Sequence, residues 1–264
     1  MTFGGSTGNT LENDSFHPLM NIALKNVLIL VFGYVERYLL PLIFLWLASW
    51  ELIGTVKVLS GGSRPDTTVF LDASHHVIML LLDLITGLVL VIGFRAAVPG
   101  TNFKAILIPL VATFFPFIYY ATKHFPPSWK IDLCPPAWQK PLAIAGFTAI
   151  IIGPFIALWG LLYLGRSFGI YVTMRKVVLT GPYRWVRHPM YLGWVFIYIG
   201  VALVNFSAIY LVLIAIQLSL LLYRAHLEET HLAQHSPEYR DYMGRTGFIF
   251  PRLRPPANPA TKRV

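Results

Sequence analysis

Apolar residues in this chain come in long blocks, separated by short polar breaks rich in glycine and proline. Tyr38–Val56, Val77–Ala97, Phe103–Tyr120 and Pro141–Leu164 are each close to the ~20 residues that an α-helix needs to cross a bilayer. Ser60–Asp66 is a turn-rich break, and Lys123–Lys140 is a loop rich in lysine and proline. The last block, Tyr191–Tyr223, is too long for one crossing. Asn205-Phe206-Ser207 near its middle reads as a tight turn, which splits it into a hairpin of Tyr191–Val204 and Ala208–Tyr223. The first arm is short, which puts the tip within the far leaflet. Residues 1–20 are polar and read as a flexible tail. Asn21–Val35 is apolar up to Glu36-Arg37, and reads either as an interfacial helix or as the first half of a tilted helix broken by that pair. The fold class is therefore all-α, with about five or six membrane helices. It divides into a tail (1–20), N-terminal transmembrane helices (21–160), a C-terminal unit (161–253) and a disordered end (254–264).

Composition agrees with this pattern. Hydrophobic residues make up 56% and charged residues 12%, against about 25% charged in a soluble domain. The net charge of +9 is then no sign of nucleic acid. It lies mostly in the loop before the hairpin and in the tail after it, which places both, and the N-terminus with them, on the cytoplasmic side. Some of it can meet anionic lipid. The N-terminus lacks the basic-then-apolar pattern of a signal peptide, and the single Cys134 cannot form an internal disulfide. His75-His76 and the loosely spaced His226, His231 and His235 do not make a metal site, and none is expected.

Chemistry concentrates in two polar clusters that bracket the hairpin. Val177 to Gly193 carries Arg184, Arg187 and His188 beside two prolines, and Arg224-Ala-His-Leu-Glu228-Glu229 follows the second arm. Polar, helix-breaking residues at a membrane boundary are costly unless they line a site or lie in water. Arg224 and Glu228 stand one helical turn apart, on the same face. A guanidinium there can fork a carboxylate, and a carboxylate can accept from hydroxyl or ammonium groups. Asp83, deep in the second span, is either a functional acid or a neutral one bonded to a neighbouring helix. Glu36-Arg37 reads as a self-neutralising pair.

Arg187-His-Pro-Met-Tyr-Leu-Gly193, followed by Arg224-x-x-x-Glu228-Glu229, resembles the isoprenylcysteine carboxyl methyltransferase family of integral membrane proteins. Leu164-Gly-Arg-Ser-Phe168, Leu179-Thr-Gly-Pro-Tyr183, Glu238-Tyr-Arg-Asp-Tyr242 and Phe248-Ile-Phe-Pro251 resemble its flanking elements. The resemblance covers about Leu161 to Leu253. It implies methyl transfer from S-adenosylmethionine to a lipophilic or lipid-anchored acceptor at the cytoplasmic membrane face, most simply a carboxylate, with phospholipid amines and thiols also open. Cofactor contacts would fall on Arg175, Lys176, Val177, Val178, Tyr183, His188, Pro189, Met190, Tyr191 and Glu228. Arg224 would bind the acceptor carboxylate, with Arg187 beside it in the catalytic set. Two other readings compete with this one. Sterol reductase-like proteins, which use NADPH, share a related Arg-His-Pro hairpin, and a non-catalytic membrane factor could keep the fold without turnover.

Overall fold

A helix that is apolar on every face suits a lipid solvent, because its backbone hydrogen bonds are all made within the segment. The computed structural model describes residues 27, 30–31, 33–61, 67–93, 104–122, 125–129, 131–171 and 177–252, and they contain helices and no strand. The helices are α1 (Leu40–Ser60), α2 (Thr67–Ile92), α3 (Lys104–Phe114), α4 (Pro136–Leu164), α5 (Pro189–Val204), α6 (Ala208–His235) and α7 (Pro237–Arg245). Three are long and apolar enough to cross a membrane: Val35–Ser60, Pro136–Ser167 and Ala208–His235. Shorter apolar helices, His76–Ile92, Lys104–Phe117 and Pro189–Val204, pack beside them.

Glycine spacing sets the closest pairing. Gly146, Gly153 and Gly160 fall seven apart along one face of α4, as do Gly193 and Gly200 on α5. A β-carbon on Gly153 would come within 2.6 Å of the Gly193 carbonyl oxygen, and one on Gly200 within 2.6 Å of the Gly146 carbonyl oxygen. The two backbones thus touch directly, the arrangement by which small residues join helices in lipid. Gly165, at φ 47°, ends α4 in a conformation that side chains resist.

Both ends of the hairpin are tied. At its tip, the amides of Leu133 and Ala208 donate to the carbonyls of Phe206 and Ile131, at 3.0 and 3.1 Å. At the opposite end, Arg187 N–H donates to Gly247 O at 2.9 Å, and Gly247 N–H to Trp185 O at 3.2 Å. The turn over Asn205–Ser207 falls where the sequence puts it.

Several boundaries differ from expectation. Helix α2 starts at Thr67 rather than Val77. The third span narrows to a 3₁₀ turn at Phe115–Phe117, where Pro116 supplies no N–H to an α-helix. Glu36-Arg37 does not break the first helix. A π turn over Val35–Leu39 carries the chain through into α1, with the Leu40 N–H bonded to Val35 O. The tail over 1–20 and the end over 254–264 lie outside the described residues, as does most of Asn21–Val35.

Candidate active site

Pro189 starts α5 because its missing N–H falls in the first turn, where no helical partner exists. That fixes His188 at the N-cap and Tyr191 one turn on. Their rings stack at 5.2 Å with 5° between planes. Helix α6 runs twelve residues past Tyr223, the expected end of its span, and brings Arg224, Glu228 and Glu229 against them. Tyr191 Oη donates to Glu228 Oε1 at 2.5 Å. Arg224 Nε donates to the same oxygen at 3.1 Å. His188 Nε2 lies 3.1 Å from Glu229 Oε1.

Arg224 is the junction of the site. Its Nη1 donates to Thr113 Oγ1 at 3.0 Å and its Nη2 to Ile170 O at 2.9 Å. The guanidinium lies over the Tyr191 ring, 5.4 Å from the centroid. Of the five N–H groups of a guanidinium, three are taken by described residues and two have no acceptor among the described residues. The Ile170 backbone is held from its other side by Glu36, whose Oε1 accepts from the amides of Ile170 and Tyr171 at 2.7 and 3.3 Å. Glu36 therefore does more than neutralise Arg37: it fastens the start of the loop that enters the site.

Two cavities meet at this junction. A polar cleft of about 850 Å³ is lined by Val177, Val178, Tyr183, His188, Tyr191 and Glu228, among others. An apolar cavity of about 1060 Å³ runs between α1, α2, α3 and α5. Phe168, Met190, Tyr191 and Arg224 line both. Glu228 faces the polar cleft alone, while Arg224 faces both.

Residues 142–238 match the phospholipid methyltransferase family. This segment is similar to the ICMT-like membrane methyltransferases. It takes in most of α4, all of α5 and α6, both polar clusters and the polar cleft. The family implies a methyltransferase acting on lipid-like substrates at a membrane. No curated protein matches the chain. Helices α1 to α3, which supply half of the residues lining the apolar cavity, lie outside the matched segment.

Within this methyltransferase segment the expected residues part into three groups. Val177, Val178, Tyr183, His188, Met190, Tyr191, Arg224 and Glu228 line the polar cleft together. Pro189 is fully buried beneath it, as the start of α5 rather than a wall. Arg175 and Lys176 lie outside the described residues. Arg187 borders the cleft, but its guanidinium is engaged elsewhere and does not suit the catalytic role first given to it. It holds Glu229 through Nε at 2.5 Å and Nη2 at 3.3 Å, and donates from Nη1 to the carbonyls of Met243 and Thr246. It fastens the tail to the hairpin.

Glu229, Thr113, Ile170 and Glu36 were not picked out as site residues from sequence. Glu229 was visible beside Glu228, but nothing in the sequence says which of the two faces which partner. The tail closes the cleft through tyrosines. Tyr242 Oη donates to Tyr183 O at 2.6 Å, and Tyr183 Oη to Gly160 O at 3.3 Å. Burial pushes the Tyr183 phenol up, and that of Tyr242 up to about 12. Both are neutral donors at physiological pH.

Proposed function

We propose that the protein transfers the methyl group of S-adenosylmethionine to the carboxylate of a lipophilic acceptor at the cytoplasmic face. The observation that carries this reading is the position of Arg224 on the wall between a polar cleft and an apolar cavity, with two N–H groups still to give.

The donor set of the polar cleft suits the cofactor. Glu228 can accept from an ammonium or from ribose hydroxyls, the stacked His188 and Tyr191 offer faces and polar edges, and the Val177-Val178 backbone offers amide partners. When bound, S-adenosylmethionine supplies an electrophilic methyl on a sulfonium. The chain's own residues supply position and dryness, the two needs of in-line displacement. Arg224 orients the acceptor oxygen, Glu228 and Tyr191 hold Arg224 in place, and the tail over the cleft excludes water. A carboxylate needs no general base, since it is already ionised. An amine acceptor would arrive as an ammonium, which the Arg224 guanidinium repels, whereas it attracts a carboxylate. The apolar cavity suits a lipid tail, and the family's description names phospholipids. On this reading residues 161–253 form the methyltransferase unit and helices before 160 shape the acceptor site.

Thermal unfolding of the purified protein with S-adenosylmethionine, with its demethylated product and with NADPH tests the reading. A ligand at 100 times its Kd stabilises the native state by about 2.7 kcal/mol. Stabilisation by the first two, lost in His188→Ala, is expected. Stabilisation by NADPH alone would make the protein a reductase, and none by any ligand would point to a non-catalytic factor.

A further inference from the structure

The apolar cavity ends on two acids. Glu51 of α1 and Asp83 of α2 both line it, and each is 7% exposed. Their depth follows from the helices that carry them. Glu36 sits beside Ile170, whose carbonyl receives Arg224, so Glu36 marks the level of the junction. Glu51 is four turns further along the same continuous helix, roughly 22 Å at the α-helical rise. Asp83 is nine residues before Ile92, whose carbonyl is held by Arg166 next to the same loop, which gives roughly 14 Å. Both acids therefore stand well inside a hydrocarbon layer about 30 Å thick.

An acid at that depth is costly and needs a partner. Glu51 has one, since His76 Nδ1 lies 2.5 Å from its Oε2. Asp83 has none among the described residues. Its carboxyl faces the cavity among Met79, Leu82 and Thr86. The residues that make this end lie outside the matched methyltransferase segment. Nothing in methyl transfer at Arg224 calls for an acid so far away.

We propose that Asp83, with Glu51 behind it, is a binding subsite for a hydroxyl carried on the apolar tail of the acceptor, remote from the end that is methylated. A hydroxyl is the donor that fits, since it can satisfy a carboxyl at modest desolvation cost, whereas an ammonium carries the full penalty of a charge in hydrocarbon. The acceptor is then an amphiphile with two polar ends. The inference rests on the reading above only in taking the apolar cavity as the acceptor's.

The test compares 1-dodecanol with 1,12-dodecanediol, at equal mole fraction in phosphatidylcholine nanodiscs holding the full-length protein. The readout is the unfolding midpoint. Neither probe has a carboxylate, so the result does not depend on which head group is methylated, and failure of the carboxylate reading would not affect it. The diol should reach half its stabilising effect at a mole fraction about tenfold lower than dodecanol, the scale of one hydrogen bond. Asp83→Leu should abolish that preference and leave the dodecanol response, while Asp83→Asn, which keeps an acceptor oxygen, should retain it. Equal effects of the two alcohols on the wild type, no effect of either, or a preference that survives in Asp83→Leu would overturn the proposal. If Asp83→Leu does not fold, the wild-type comparison decides alone.

Discussion

Two buried arginines, Arg187 and Arg224, each pair with one of two adjacent glutamates, yet they sit in differently finished surroundings. Around Arg187 the protein completes almost everything: four N–H groups go to Glu229 and to two backbone carbonyls of the tail. Around Arg224 it stops at three, and the remaining two border cavities. Composition does not separate the two sites, but donor accounting does. A guanidinium saturated by its own chain is a fastening, while one left with donors at a cavity wall is equipped for a ligand.

The largest effect should come from opening the saturated site. Arg187→Met leaves the buried Glu229 with His188 as its remaining partner, and a broken buried pair costs about 3–5 kcal/mol. The unfolding midpoint should fall accordingly, and the tail should become protease-sensitive. Arg224→Ala should cost less stability, about 2 kcal/mol, because Glu228 keeps the Tyr191 hydroxyl and is partly exposed. It should still lower turnover by about 100-fold through loss of positioning, with cofactor affinity near normal. A fall in cofactor affinity instead would put Arg224 on the wrong side of the wall. Tyr191→Phe removes one hydrogen bond to Glu228. It should weaken cofactor binding about fivefold, the equivalent of about 1 kcal/mol.

The remaining effect is a titration. The Tyr242 phenol is held above its ordinary value, up to about 12, by burial. A neutral phenol favoured in the folded state gives stability that is complete below pH about 10 and lost as pH rises through about 12. Unfolding followed across that window should show this loss, and Tyr242→Phe should blunt it at the alkaline end.

Much of this contrast was written in the sequence, but not all of it. The hairpin, its turn at Asn205–Ser207 and the two polar clusters could be read directly, because each is local. The α4–α5 glycines could also have been read, since residues seven apart share a helix face. They were overlooked because glycine inside an apolar block adds no hydropathy signal. Glu36 could not be assigned, because its partners lie 134 and 135 residues away, on a loop without periodicity. The fastening contacts of Arg187 are hidden for a related reason: its carbonyl partners, Met243 and Thr246, are backbone groups that any sequence supplies.

The Glu36 contact also bears on how the molecule is made. Its carboxylate must reach the amides of Ile170 and Tyr171, which are synthesised long after it. At ribosomal rates of 5–20 residues per second, that wait is on the order of ten seconds. The first helix therefore enters the bilayer before its companion exists, and an early ribosomal stall between the two would strand it without the strap that seats the loop.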